Sequence, residues 1–336
     1  MTGTGRLGVF ASSLADVRLD VDTAVSRAAG HGFTACLFGS VFDVSPTLDH
    51  GEIAARRDAA AAQGVEVAVG SVNLHPFRAG QDDRLLAAGD GDALAGLGRM
   101  VEAAALLPGR DLLVIIGRIE DRYDRLTPWP EQLDLAARLL RRLGPVLRDH
   151  GLRLALKTHE EITATEVARL IDAAGADVAC ASLDPVNLLV NLQDPVTAAG
   201  ALLPAVGQVV LDDAVLALAG GVGTRLLCPV GEGVVDWPGV VAAVAAAAPT
   251  YWVELHRGQF TVAPFDPGWH AHHPDLTLAE YTAVVRAMVR CTASLLPARL
   301  AALRAHQARP TQRLAATTTA ARSLLFPQCR KDHHHA

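Results

Sequence analysis

Leu152, Leu154 and Leu156 alternate with Arg153, Ala155 and Lys157 in the stretch GLRLALKTHEEITATEVARLIDAAGADVACASLDPVNLLVNLQDP (Gly151 to Pro195). This period of two predicts a strand whose leucine face packs under a helix while the other face points elsewhere. His159 lies on the Lys157 side. Thr163 and Glu166 have the spacing of a capping box, in which hydroxyl and carboxylate each satisfy a free backbone N–H at a helix start. Val167, Leu170, Ile171 and Ala174 follow at helical spacing, and Gly175 suits the left-handed residue that ends such a helix. Asp177 to Leu183 reads as a second strand; Pro185 supplies no donor to continue its ladder. Lys157, His159 and Asp184 therefore fall at the exit ends of parallel strands, where α/β folds build their sites.

The same alternation runs along the rest of the chain. Arg6 to Phe10, Phe33 to Phe38, Val65 to Val69, Asp111 to Ile116, Val206 to Leu211 and Tyr251 to Leu255 read as further strands. Between them, helical spacing covers Val21 to Gly30, an Ala-rich helix after the turn chemistry of Ser45 to Gly64, Asp92 to Leu107, Gln132 to His150 and Pro195 to Leu203. Leucines such as Leu135, Leu139, Leu140 and Leu143 form a core stripe. After Asp212 and Asp213, a segment containing GGVG and VGEG reads as a loop to Val234, and Asp236 caps an Ala/Val-rich helix through Ala247. Leu276 to Ala305 reads as helical. Eight strand–helix alternations predict a single (β/α)8 TIM barrel over residues 1–308, with residues 309–336 a poorly ordered Thr/Ala-rich tail ending in a His run.

Composition agrees with one α/β barrel: 336 residues at 50% hydrophobic content bury a large core. Thirty-six acidic and thirty basic residues, a net charge of -6, leave no electrostatic footprint for nucleic acid or an anionic membrane. The start lacks a leader pattern and no stretch has transmembrane length, so a cytoplasmic location is expected. Five scattered cysteines (Cys36, Cys180, Cys228, Cys291, Cys329) suggest free thiols rather than a disulfide framework or CxxC metal site.

Several segments, in this order, carry a resemblance: FGSVFDVSPTLDHGE (38–52), PWPEQL (128–133), KTHEEIT (157–163), SLDPVN (182–187), PVGEGVVDW (229–237) and VELHRG followed by WHAHHPDL. They look like the xylose isomerase-like barrels described as sugar phosphate isomerases/epimerases. The resemblance implies a divalent metal, Mn or Mg, at the exit mouth, held by Glu, Asp, His and Glu from strands five to eight. Asp184 and Glu254 match two of these positions. Where the family's strand five reads ETHEEIT this chain has Lys157, and where strand seven reads HxKDA it has Val210. An ammonium cannot ligate while protonated, so two of the four ligands are replaced.

Two carboxylates and one lysine sum to -1, as three carboxylates and a dication do. Lys157 is therefore expected near the metal's place between Asp184 and Glu254, since a buried charge must be paired. The expected catalytic set is Lys157, His159, Asp184 and Glu254, with Asp184 and Glu254 as the metal ligands if a metal is retained. Asn73, Arg225, Glu232 and His256 are the substrate-binding candidates. His159 and His256 suit proton transfer as well as wall contacts; Arg225 falls in a loop where the family often carries a substrate arginine. His270, His272 and His273 match no zinc spacing. The implied activity is isomerisation or epimerisation by proton transfer beside a carbonyl of a small sugar or polyol. A silent paralogue that binds a sugar-like ligand or partners an active subunit is the alternative, and a sugar-acid lyase or decarboxylase a further one. A homo-oligomer is compatible with all of them.

Overall fold

The computed structural model describes residues 6–327. Eleven strands follow in chain order: β1 (Leu7–Phe10), β2 (Ala35–Phe38), β3 (Glu66–Val69), β4 (Asp111–Val114), β5 (Arg153–Lys157), β6 (Ala179–Leu183), β7 (Val206–Leu211), β8 (Asp213–Ala219), β9 (Val222–Cys228), β10 (Thr250–Val253) and β11 (Phe260–Val262). Strands β1 to β7 and β10 are parallel, in the order β3-β2-β1-β10-β7-β6-β5-β4. A parallel bridge between Gly70 and Leu113 joins the two ends. A Cβ at Gly70 would lie 2.5 Å from the Gly39 carbonyl oxygen and 2.7 Å from that of Leu113. Glycine thus lets the seam close.

Alternation sends every second strand residue inward, in layers. At the strand starts Arg153 donates to both carboxylate oxygens of Asp111 at 2.8 and 2.9 Å. Phe10, Ala35, Leu37, Ala68, Leu113 and Trp252 fill the middle. The Trp252 indole takes the space opposite Gly8, where an added Cβ would come within 2.2 Å of the ring. Lys157, Asp184 and Glu254 crown this core at the strand exits. Outside, helices such as Trp129–Asp149 and Ala164–Ala174 cover the sheet. The capping box closes the latter as expected, Glu166 N–H donating to Thr163 Oγ1 at 3.2 Å and Thr163 N–H to Glu166 Oε2 at 2.8 Å. Gly175 follows it at φ 97°.

Two expectations give way. The segment after Asp212 is an antiparallel hairpin of β8 and β9, extended by β11, and not a loop. Its apolar arms, AVLALA and RLLC, flank Gly220 and Gly221, whose positive φ angles of 57° and 81° make the two-residue turn that matches strand twist. The helical stretch from Leu276 is two helices, Leu278–Ser294 and Pro297–Ala308, because Pro297 breaks the ladder. Of the tail expected from Arg309, residues 310–325 fold back on the barrel as a 3-10 turn, Pro310–Arg313, and a helix, Leu314–Leu325. Leu314, Thr317, Thr318 and Ala321 bury one face of that helix, a helical stripe obscured by Thr/Ala composition. The His run and Cys329 lie outside the described residues. Cys36, Cys180 and Cys228 are buried free thiols and Cys291 is half-buried; burial pushes Cys36 up to about 12. Among the described residues no helix is long and apolar enough to cross a membrane.

Candidate active site

Parallel neighbours bring three side chains to one point at the barrel exit. Lys157, the last residue of β5, donates from Nζ to Glu254 Oε2 at 2.6 Å and lies 2.9 Å from Asp184 Oδ2. Its ammonium also sits 5.7 Å from the centre of the Phe10 ring. Desolvation works against that charge, but Glu254 and Asp184 outweigh it and hold the Lys157 pKa above the ordinary lysine value. Asp184 is fully buried; burial alone would raise its pKa, yet His256 and Lys157 hold it well below the usual carboxylate range.

His256, two residues beyond Glu254, faces carboxylates with both ring nitrogens. Nε2 lies 2.8 Å from Asp184 Oδ2 and 3.4 Å from Lys157 Nζ; Nδ1 lies 3.2 Å from Asp212 Oδ2. Two acceptors on one ring favour the imidazolium, and despite burial Asp184 and Glu254 raise His256 to about 9. Asp212 Oδ2 in turn accepts from the His256 backbone N–H at 2.9 Å and from Arg313 Nη2 at 2.9 Å.

A second cluster adjoins the first. His159 sits between Glu160, 2.7 Å from Nε2, and Glu161, 2.5 Å from Nδ1. Burial lowers its pKa, but Glu161 and Glu160 carry it up to about 10; Glu160 itself, desolvated but beside His159 and Arg225, falls to about 2. Arg225 Nη1 donates to Asn187 Oδ1 at 2.6 Å, and Asn187 Nδ2 to Asp184 Oδ2 at 3.0 Å, linking the clusters. The guanidinium also stacks 4.7 Å above Phe260. Solvent reaches this assembly chiefly at Glu254 and His159, whose side chains are 18% and 23% exposed.

The expected set is thus brought together for Lys157, His159, Asp184, Glu254 and His256. Arg225 arrives from β9 rather than from a loop, and is fully buried. Asn73 spends its amide on the backbone, donating to the Gly117 carbonyl at 3.1 Å and accepting from His75 N–H at 2.8 Å. Glu232 is exposed and lines a separate cavity of about 760 Å³ beside the C-terminal helix. His270, His272 and His273 hold no shared ligand point: His273 stacks on Trp269 at 3.8 Å and His270 lies 2.7 Å from the Pro264 carbonyl. Sequence reasoning missed Asp212, Asn187 and Arg313. Asp212 stood in view at the end of β7, whereas Arg313 gave no signal because only folding back brings it here.

Asp184, Glu254 and His256 have ligand atoms within 4.8 Å of one another, as do His159, Glu160 and Glu161. The first group does not fit a divalent ion, however, because the Lys157 ammonium already lies among its donors. Three cations (Lys157, His256, Arg313) meet three carboxylates (Asp184, Glu254, Asp212), a sum of zero where Lys157, Asp184 and Glu254 alone gave -1. Asp184 Oδ1 is the one oxygen of this carboxylate that is buried without a partner, and a hard dication needs several oxygens.

A family model described as the xylose isomerase-like TIM barrel matches residues 25–269. The chain belongs to this family. Among solved structures, it resembles an L-ribulose 3-epimerase at 17% identity and TM-score 0.56, covering 87% of this chain and 97% of that one. A D-psicose 3-epimerase with D-tagatose from Clostridium cellulolyticum H10 shows 12% identity and TM-score 0.58 over 87% and 99%. A 3-keto-D-glucoside 4-epimerase from E. coli shows 14% and 0.56 over 85% and 100%. At these identities the likeness establishes the barrel fold. No curated protein matches the chain.

Proposed function

We propose that this xylose isomerase-like barrel is a sugar isomerase or epimerase that moves a proton beside a carbonyl without a divalent metal. The observation that carries the reading is the Lys157 ammonium held 2.6 Å from Glu254 and 2.9 Å from Asp184 at the barrel exit. Glu254 is the partly exposed carboxylate and serves as the base that takes a C–H proton. Lys157 donates a hydrogen bond to the carbonyl oxygen as the C–H electrons move into an enediolate. Return of a proton to the opposite face of the same carbon epimerises it, and to the neighbouring carbon, with the oxygen-bound proton shifting between the two oxygens, isomerises the sugar. The His159 imidazolium is the proton donor on the solvent side, with Glu160 and Glu161 fixing its ring. An adjoining cavity of about 500 Å³, lined by Phe10, Leu37, Phe38, Asp43 and Arg257, has the size for a small polyhydroxylated substrate.

Burial of Lys157, only 3% exposed, favours a second reading, a silent paralogue that binds a sugar-like ligand or supports an active subunit. Deuterium wash-in separates the two. The protein is incubated in D2O and excess EDTA with a panel of ketoses, ketose phosphates and 3-oxo-glycosides. Carbon-bound deuterium in at least one substrate, reduced about 10²- to 10⁴-fold by Glu254→Gln, supports the enzyme. No incorporation across the panel supports silent binding.

A further inference from the structure

Arg313 lies 60 residues beyond Val253, the end of the last barrel strand β10, yet it is fully buried beside the candidate site.

 Its Nη2 donates to Asp212 Oδ2 at 2.9 Å and to the His256 carbonyl at 3.2 Å. The same Asp212 oxygen receives the His256 backbone N–H and faces the His256 ring. One guanidinium therefore grips His256 twice, at its carbonyl directly and at its ring through Asp212. The segment that carries it is anchored independently. Thr311 Oγ1 donates to Asp16 Oδ2 at 2.9 Å, the helix Leu314–Leu325 buries one face, and Arg322 donates to the carbonyls of His31 and Gly32 at 2.6 and 3.0 Å. The segment lies beyond residues 25–269, the part matched by the family model.

We infer that Arg313 is a positioning residue: by docking the C-terminal segment it orients Asp212, which fixes His256 against Asp184 and Lys157 and so completes the charge balance of the site. Without Arg313, the fully buried Asp212 keeps the His256 ring but loses its second cation, and the uncompensated charge loosens the Asp212–His256 pair. Arg313 assembles the site in this way whether or not the barrel turns over a sugar.

The test uses NMR on the full chain. The two ring N–H protons of His256, assigned by their loss in His256→Asn, should give slowly exchanging downfield resonances in the wild-type protein, because both are buried in hydrogen bonds to carboxylates. Arg313→Met should abolish them while circular dichroism still reports a folded barrel. Arg313→Lys, which keeps a cation, should retain them, as should Arg322→Ala, which loosens the same helix elsewhere. Persistence of both resonances in Arg313→Met would overturn the inference, as would equal loss in all three variants, since that signals general loosening. If Arg313→Met does not fold, hydrogen exchange of the wild-type chain decides. Exchange of the His256 backbone amide in the same opening as the amides of residues 314–325 supports the assignment; protection of His256 after that segment has exchanged refutes it.

Discussion

Lys157 places a cation at the barrel exit, and its surroundings show why a buried ammonium is tolerated there. A lysine buried alone would lose its proton; here Glu254 and Asp184 keep it charged. Replacing Lys157 with Met leaves those carboxylates uncompensated and should cost about 3 to 5 kcal/mol in urea unfolding, the scale for breaking a buried pair. A loss near zero would contradict the pairing. His159 and Glu160 predict a pH dependence of stability. Glu160, depressed from 4.5 to about 2, contributes stability above pH 4.5 that is lost as pH falls through about 2. His159, raised from 6.5 to about 10, contributes stability below pH 6.5 that is lost as pH rises through about 10. The stability gap between wild type and His159→Gln should therefore be widest between pH 4.5 and 6.5 and shrink on both sides; a gap independent of pH would count against the ion triad. At this scale the sequence displayed the strand-exit residues, since a period of two assigns faces directly. It did not display Arg313, whose role depends on a contact distant in sequence.

The strands and the outer helices were legible because their apolar periods are local. The hairpin was legible too, in Gly220-Gly221 between two apolar arms, but the glycine-rich GGVG and VGEG motifs read more readily as loop. Asp213 explains the fold at its exit: its carboxylate accepts from the backbone N–H groups of Gly231, Gly233 and Val235 and from the Trp237 indole. These bonds return the chain from β9 to the outer helix. Within the barrel, Gly8 and Trp252 form a matched small–large pair. Gly8→Ala should lower stability by about 1 to 3 kcal/mol through overpacking. In the background of Trp252→Leu that cost should largely disappear, because the added methyl then has room. Equal costs in both backgrounds would show that the indole is not what excludes a side chain at residue 8.

Across the whole molecule, the barrel and its family followed from motifs in sequence order, whereas the electrostatics of the mouth emerged only in three dimensions. Lys157, Asp184 and Glu254 by themselves carry a net -1, a site still attractive to a cation. Asp212, His256 and Arg313 bring the sum to zero. This balance joins elements from the fifth strand to the C-terminal turn. The most direct test is metal content by mass spectrometry, on protein without the His333–His335 run, after incubation with manganese and desalting. A lysine-filled site predicts far less than one ion per chain, with no difference between wild type and Asp184→Asn. One ion per chain, lost in Asp184→Asn and Glu254→Gln, would contradict it.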